Sequence, residues 1–268
     1  MNKNTYIMLG FPSTGKTTYI AALWQYLKDS NNQNFRLNVM PEYRDYLESN
    51  SEYWISCENV PRTTPENSEK ITLSIEINQS EVFDVTIPDV AGESYKQIFL
   101  QRRIEENLYS EFSSANGLLV FISSETEDIL SHNRHNNIDN TSTNNLTNSP
   151  SFEVEKTPTI LKLIDLIQII KSINNNDISL SIIISAWDVI EEKTIPEVWI
   201  KTNKPFIYNF IKNNFKKYRF FGVSAQGGDY ATNKDELLKE NNPINRIKVG
   251  YESSISNDIT LPLQYLIQ

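Results

Sequence analysis

The sequence predicts an α/β protein with three layers, in which a mostly parallel sheet carries helices on both faces. Short apolar runs of strand length alternate along the chain with longer segments whose apolar residues recur at helical spacing. Two segments, Gly117–Ser123 and Ser179–Ser185, contain consecutive apolar residues, which is typical of strands buried on both faces of a parallel sheet. A chain of 268 residues is long enough to bury a sizeable core around such a sheet.

The first elements follow from the spacing of apolar residues. Tyr6–Leu9 is predicted to be a buried strand, and Thr17–Lys28 a helix with one apolar face. Phe35–Ser56 is rich in aromatic residues and is interpreted as a helical excursion, with its aromatic side chains used for packing. Ile71–Ile77 and Val82–Ile87 alternate around a short polar turn, which predicts a hairpin that adds one antiparallel edge strand.

The alternation continues to the end of the chain. The remaining elements are three helices, a strand and a closing segment: Tyr95–Tyr109, Thr159–Ile173, Lys204–Lys216, Arg219–Val223 and Thr260–Ile267. An insertion at 132–151 is rich in Asn, Ser and Thr and lacks the apolar residues of a core, so disorder is expected there. Because the alternation resumes after it, residues 1–268 are expected to form a single domain.

Composition excludes several classes of function. The formal net charge of −9 argues against a broad nucleic-acid surface, because phosphate backbones are bound by clustered Lys and Arg. The single cysteine, Cys57, cannot form an internal disulfide, which favours a reducing cytosol. No apolar run has the length of a bilayer span, so a cytoplasmic protein without a transmembrane segment is expected.

The most informative segment is Gly10–Thr17, with the sequence Gly-Phe-Pro-Ser-Thr-Gly-Lys-Thr. It follows a predicted strand and opens a predicted helix, as a phosphate-binding P-loop (Walker A motif) does. The glycines allow the backbone to approach phosphate, and loop N–H groups and the helix N-terminus supply positive potential. Lys16 can reach the β- and γ-phosphates, and the Thr17 hydroxyl can coordinate Mg²⁺. The predicted nucleotide-binding residues here are Gly10, Ser13, Thr14, Gly15, Lys16, Thr17 and Thr18.

A second polar turn, Asp89–Glu93, follows the predicted strand Val82–Ile87. A carboxylate at the carboxyl end of a strand beside a P-loop can hold Mg²⁺, usually through water. Asp89 is therefore a predicted magnesium ligand together with Thr17. The Gly92 N–H is predicted to contact the γ-phosphate of a nucleotide.

Two later turns also follow predicted strands, namely Ser185–Asp188 (Ser-Ala-Trp-Asp) and Ser224–Gln226 (Ser-Ala-Gln). With the P-loop and the Asp89 turn, their order resembles that of the Ras-like and translation-factor-related (TRAFAC) class of P-loop GTPases. The resemblance covers most of the chain and implies the P-loop GTPase fold. It implies that Asp188 accepts hydrogen bonds from the guanine ring N–H and amino group. It also implies that Ser224 belongs to the nucleotide site and that the Ala225 N–H contacts the guanine carbonyl.

Two departures from that class concern the base. Ala186 stands where the family usually has a Lys that packs on the base, and Ser185 replaces an Asn or Thr. Trp187 or another side chain would then have to supply the stacking surface. The wide loops, the insertion and the closing segment are most similar to bacterial double-GTPase-type domains, which are linked to multi-protein defence or conflict systems. This similarity implies a protein effector that is bound in a nucleotide-dependent way.

By the same resemblance, a switch threonine in the loop before Ile71–Ile77 would add a second hydroxyl to Mg²⁺. Thr63 and Thr64 are both candidates for this ligand. Arg62 beside them would stabilise charge on the transferred phosphoryl group in cis. Glu93 stands where many family members have a water-orienting Gln. The predicted catalytic residues are Lys16, Arg62 and Glu93.

Three functions are compatible with these motifs. The leading one is a molecular switch that binds GTP or GDP with Mg²⁺ and hydrolyses GTP. The second is an ATP-dependent P-loop enzyme, for which Asp188 and Ser224–Gln226 would be coincidental. The third is a nucleotide-binding scaffold that barely hydrolyses, which Glu93 and Ala186 favour. The sequence leaves the partner and the oligomeric state open.

Overall fold

The computed structural model describes residues 3–29, 35–61, 70–77, 81–88, 92–125, 157–174, 177–190 and 194–267. Its strands are β1 (Lys3–Leu9), β2 (Phe35–Val39), β3 (Lys70–Ile77), β4 (Glu81–Pro88), β5 (Gly117–Ser123), β6 (Ser179–Ser185), β7 (Tyr218–Ser224), β8 (Lys248–Tyr251) and β9 (Ser254–Ser256). Its α-helices are α1 (Lys16–Lys28), α2 (Arg44–Ile55), α3 (Gly92–Gln101), α4 (Glu106–Ser114), α5 (Thr159–Ile173), α6 (Pro196–Asn203), α7 (Pro205–Asn214), α8 (Tyr230–Leu237) and α9 (Leu261–Ile267). The predicted insertion at 132–151 lies outside the described residues.

These strands form one sheet in the order β2-β3-β4-β1-β5-β6-β7-β8-β9. The central strands β4, β1, β5, β6 and β7 are parallel neighbours, which confirms the predicted mostly parallel α/β sheet. In such sheets the carboxyl ends of the parallel strands all point the same way, and ligands bind beside these strand ends. The loops that follow β1, β5, β6 and β7 are therefore brought together.

The two edges of the sheet are antiparallel. The predicted hairpin of β3 and β4 is confirmed, but β2 pairs outside β3 and takes the edge position. At the opposite edge, β8 and β9 form a second antiparallel hairpin beside β7. The prediction of one antiparallel edge strand is thus incomplete. The additional strands have only 3 to 5 residues, too few for an alternating pattern to stand out.

Two predicted helical segments are divided in the structure. Phe35–Ser56 contains β2 followed by α2 rather than helix alone. Tyr95–Tyr109 contains the end of α3 and the beginning of α4. Arg102 lies between them with φ of 55°, in the left-handed region, where a right-handed helix cannot continue.

Apolar side chains pack against both faces of the sheet. Along β1, Tyr6 and Met8 join the core shared with α1, α2 and α9, whereas Ile7 and Leu9 join the core shared with α3 to α7. Successive side chains of a strand point to opposite faces, so a strand buried on both sides supplies both cores. This is the three-layer arrangement expected from the sequence. Among the described residues, no helix has the length and apolar character to cross a membrane.

Candidate nucleotide-binding site

The carboxyl ends of β1, β5, β6 and β7 surround a cleft of about 670 Å³. The loop between β1 and α1 forms one part of its wall, and the turns that follow β6 and β7 form another. Asn59, Val60 and Pro61, which follow α2, also line the cleft. The cleft therefore lies beside the carboxyl ends of the parallel strands, where α/β proteins bind their ligands.

The loop between β1 and α1 is a tight turn fixed by its own residues. Ser13 and Gly15 have φ of 64° and 83°, both in the left-handed region. Gly15 directly precedes α1, and a residue with a side chain would be strained at this φ. The Thr14 hydroxyl donates to the Phe11 carbonyl at 2.9 Å. A turn of this kind at a helix N-terminus leaves room for an anion to approach the backbone N–H groups.

Lys16 is the one cation among the described residues that line the cleft. Its side chain is buried, and its ammonium donates to the carbonyls of Gly10 at 2.7 Å and Phe11 at 3.3 Å. Burial of an ammonium group is costly unless hydrogen bonds compensate it. The two carbonyls hold the charge over the loop, where phosphate oxygens would be alternative partners.

The other charged residues in the described part of the cleft wall are acidic, and they follow other strands. They are Glu125 after β5, Asp188 after β6 and Asp229 beyond the turn that follows β7. The cleft is thus positive at the loop after β1 and negative elsewhere. Such a separation suits a ligand that is anionic at one end and rich in hydrogen-bond donors at the other.

Most of the described residues predicted for the nucleotide site meet in this cleft. Ser13, Thr14, Gly15, Lys16, Thr17, Thr18, Asp188, Ser224 and Ala225 all line it. Gly10 lies at the end of β1, where its carbonyl accepts from Lys16. A β-carbon on Gly10 would come within 2.5 Å of Thr14 Oγ1, so the loop packs closely on this glycine.

The turn after β6 directs Trp187 away from the cleft. Ala186 has φ of 52°, and its carbonyl accepts a hydrogen bond from Ser124 Oγ at 2.9 Å. The Trp187 side chain is buried and packs on Gly222 and Gly250, which are opposite each other on β7 and β8. A β-carbon would lie 2.0 Å from the indole at Gly222 and 2.9 Å from it at Gly250. Trp187 is therefore a core residue. Of the two alternatives for a stacking surface, Trp187 or another side chain, the structure excludes Trp187.

The turn after β7 is held by contacts on both sides. Ser224 is buried, and its hydroxyl accepts from the Gly227 N–H at 3.0 Å. The Gln226 amide donates to the Gly228 carbonyl at 2.8 Å. Trp54 on α2 donates its indole N–H to the Ala225 carbonyl at 2.8 Å. This turn is fixed partly by its own residues and partly by a remote helix.

Part of the predicted site is outside the described residues. Arg62, Thr63, Thr64 and Asp89 lie there, and the side chain of Glu93 is likewise not described. Gly92 is described by its backbone and begins α3, four residues after the end of β4. The roles predicted for these residues stay predictions.

Sequence reasoning missed two residues near the cleft. The sequence pattern favours a packing role for Trp54, which is fully buried, but its contact with Ala225 spans 171 positions and leaves no local signal. Glu125 lines the cleft two residues after β5 ends. Its place behind a buried parallel strand is a signal that could have identified it.

The chain matches the model of a known protein family. A family model described as Double-GTPase 1 (DO-GTPase1) matches residues 7–266 of the chain. No curated protein matches the chain. The matched range contains the loop after β1 and the turns after β6 and β7, so all the described parts of the cleft lie within it.

Proposed function

The chain belongs to the Double-GTPase 1 family, and on this premise we propose that it binds GTP with Mg²⁺ and hydrolyses it to GDP and phosphate. The observation that carries the proposal is that the P-loop, Asp188 and the Ser224–Gln226 turn line one cleft. These segments are remote in sequence, and the parallel sheet brings them to one cleft. Partners for the phosphates and partners for a guanine base would thus lie within reach of a single nucleotide.

The described residues fit a nucleotide and a magnesium ion. A cleft of about 670 Å³ is within the usual range for small-molecule sites. The left-handed turn at Gly15, directly before a helix, and the ammonium of Lys16 beside it are compatible with phosphate binding. Thr17 lines the same cleft and offers a hydroxyl oxygen, the kind of ligand that Mg²⁺ prefers.

In the proposed complex, Lys16 neutralises charge on the β- and γ-phosphate oxygens. Thr17 and Asp89 hold Mg²⁺, and Thr63 or Thr64 adds a further hydroxyl. When bound, the ion supplies charge neutralisation to the phosphates, which is the main need of phosphoryl transfer. The Gly92 N–H donates to the γ-phosphate, which would link the start of α3 to the state of the nucleotide.

Glu93 is assigned the role of orienting the attacking water. Arg62 is assigned the role of stabilising the negative charge that develops on the transferred phosphoryl group. Glu93 can orient a water molecule, but its carboxylate places negative charge near the γ-phosphate and opposes the reaction. Arg62 would offset this charge in the transition state. Slow or partner-activated hydrolysis is the expected consequence of a Glu at this position.

Base selection is assigned to the other end of the cleft. The Asp188 carboxylate would accept hydrogen bonds from the ring N–H and amino group of guanine, whereas adenine presents no such pair of donors. The Ala225 N–H would donate to the guanine carbonyl, and Ser224 holds the turn that presents it. A base with the wrong donors would leave these polar groups without partners. Such unpaired groups discriminate between bases more strongly than a small difference in the shape of the base does.

A switch function is the biological role that we assign to the nucleotide cycle. Residues 62–67 and 92–98 would rearrange between the GTP and GDP states and present different surfaces to a protein effector. The effector would belong to a bacterial multi-protein assembly such as a defence system. A reducing cytosol is proposed as the location, since the buried Cys57 is a free thiol.

A nucleotide-dependent scaffold that barely hydrolyses GTP is the second candidate. It is favoured by Ala186, which lacks the aliphatic chain that packs on the base in related GTPases, and by the burial of Trp187 away from the cleft. The negative charge of Glu93 favours it as well. This candidate shares the binding site and differs only in turnover.

Phosphate release under multiple turnover tests the proposed function. The purified chain is incubated with Mg²⁺ and an excess of GTP or ATP, and inorganic phosphate is followed over time. The expected result is repeated turnover of GTP, at a rate about tenfold or more above that of ATP. Binding of GTP without turnover would support the scaffold, and faster turnover of ATP would refute the guanine assignment.

A further inference from the structure

One tryptophan joins helix α2 to the turn at the base end of the cleft. Trp54 lies in the last turn of α2 and is fully buried. Its Nε1 donates to the carbonyl of Ala225 at 2.8 Å. The end of α2 and the turn after β7 are far apart in sequence. This contact ties the turn, which lines the cleft, to the helix that precedes the lining residues Asn59 to Pro61.

Arg246 holds the tryptophan from another side. Its guanidinium lies 4.7 Å from the centre of the Trp54 ring, a cation–π distance. Its Nη2 donates to the Trp54 carbonyl at 3.0 Å, and its Nη1 contacts the Ile55 carbonyl and Cys57 Sγ. The last carbonyls of a helix lack partners within the helix. Arg246 is buried and donates to two of them, of which the Trp54 carbonyl also accepts from the Cys57 N–H at 3.2 Å. These contacts hold the end of α2 and its indole in one orientation.

The turn packs on the same arginine. Gly227 has φ of 87°, and a β-carbon there would come within 2.5 Å of the Arg246 carbonyl oxygen. Tyr230, at the start of α8, is buried and donates its hydroxyl to the Trp54 carbonyl at 3.4 Å. Burial raises the pKa of the Tyr230 hydroxyl, so this group stays protonated as a donor at neutral pH. The turn after β7 therefore rests on a cluster in which Trp54 is the member that contacts Ala225.

We propose that Trp54 is a positioning residue for guanine recognition, because its hydrogen bond to the Ala225 carbonyl fixes the backbone that presents the Ala225 N–H to the base. This inference rests on the proposed function, in which that N–H contacts the guanine carbonyl. A turn without this bond samples more orientations, and their loss on binding weakens affinity. The effect is confined to nucleotides whose base carries the carbonyl and leaves the phosphate contacts unchanged.

Calorimetric titration of GDP and ADP in the presence of Mg²⁺ tests the assignment in the full chain. Trp54→Phe keeps a buried aromatic ring and removes the N–H donor. GDP affinity is expected to fall about 5- to 10-fold, as for the loss of one neutral hydrogen bond, with ADP affinity unchanged. The ratio of GDP to ADP affinity falls by the same factor. Trp24→Phe is the matched control, since Trp24 is equally buried on α1, and its ratio is expected to equal that of the wild type.

The outcomes separate this inference from the proposed function. Equal weakening of GDP and ADP by Trp54→Phe would show a general structural role and overturn the inference. A wild-type preference for GDP that Trp54→Phe leaves intact would also overturn it and leave the proposed function standing. No preference for GDP in the wild type would remove the premise of both.

A second substitution keeps the test decisive if Trp54→Phe does not fold. Incorporation of 3-benzothienylalanine at position 54 replaces the indole N–H with sulfur and retains almost the same ring shape. The same fall in the ratio of GDP to ADP affinity is expected. An unchanged ratio in this folded variant would refute the positioning role.

Discussion

The two ends of the cleft are built in different ways. At the proposed phosphate end, the described residues of the loop after β1 are contiguous, and contacts within the loop, such as that of Thr14 with Phe11, fix the turn. At the proposed base end, Asp188 and Ala225 follow different strands. Trp187, next to Asp188, packs in the core, and the remote Trp54 contacts the turn of Ala225 in addition to that turn's own hydrogen bonds. The loop after β1 thus carries its own geometry, whereas the proposed base end depends in addition on side chains packed in the core. Changes in the core should therefore disturb base selection more than phosphate binding.

The largest expected effect concerns turnover at the phosphate end. Arg62→Ala should lower kcat for GTP about 10³-fold, near the lower limit for an arginine that acts on the transferred phosphoryl group. GTP affinity should stay within about twofold, because an interaction confined to the transition state does not stabilise bound substrate. Single-turnover phosphate release measures the rate, and titration with a non-hydrolysable GTP analogue measures affinity. Unchanged turnover would remove Arg62 from the mechanism.

Lys16→Ala should weaken GDP and ADP together, by at least about 100-fold, because charge-assisted hydrogen bonds to phosphate are worth about 1.5–3 kcal/mol each. Calorimetric titration checks both nucleotides. Lys248→Ala is the control, since Lys248 is an exposed lysine on β8. Wild-type affinity in Lys16→Ala would refute the P-loop assignment. A loss limited to GDP would contradict the separation of the two ends.

Gly222→Ala should affect stability first and base selection second. The added β-carbon would lie 2.0 Å from the Trp187 ring, and overpacking of this kind costs about 3 kcal/mol. The expected fall in Tm is about 6–12 °C for a chain of this size. Thermal denaturation measures it. In the control Gly228→Ala the nearest atoms would be 3.5 Å away, an ordinary contact, so Tm should hardly change. Equal Tm values for the two variants would contradict the packing of Trp187 described above.

The smallest expected effect belongs to the turn after β7. Ser224→Ala removes the acceptor of the Gly227 N–H and should weaken GDP binding about fivefold, the equivalent of about 1 kcal/mol. ADP affinity should not change, because the loop after β1 is untouched. Ser253→Ala, at an exposed serine, is the control. Parallel losses for GDP and ADP would show that the turn affects the whole cleft.

The centre of the fold could be predicted from the sequence because its signals are strong. Gly117–Ser123, Ser179–Ser185 and Thr159–Ile173 have the same bounds in the structure as in the sequence-based prediction. The edges could not be predicted in full. The pairing of β2 with β3, and of β8 with β9, depends on partners elsewhere in the chain, and the strands are too short to show a pattern.

The candidate site divides in the same way. Lys16, Asp188 and Ala225 could be placed because each follows the end of a predicted parallel strand, and such ends converge. The sequence does not indicate which residues a buried aromatic side chain contacts. Trp187 therefore suggested a stacking surface and Trp54 suggested packing alone, although one fills the space beside two glycines and the other contacts the base-end turn.

Selection of guanine by the cleft is measured by paired calorimetric titrations of GDP and ADP with Mg²⁺. They are carried out on the wild type and on Asp188→Ala. The wild type is expected to prefer GDP by about 100-fold. Asp188→Ala is expected to remove this preference, with ADP affinity unchanged, because two hydrogen bonds to a carboxylate are lost. Equal or tighter binding of ADP by the wild type would contradict the guanine assignment and leave only the phosphate end of the site.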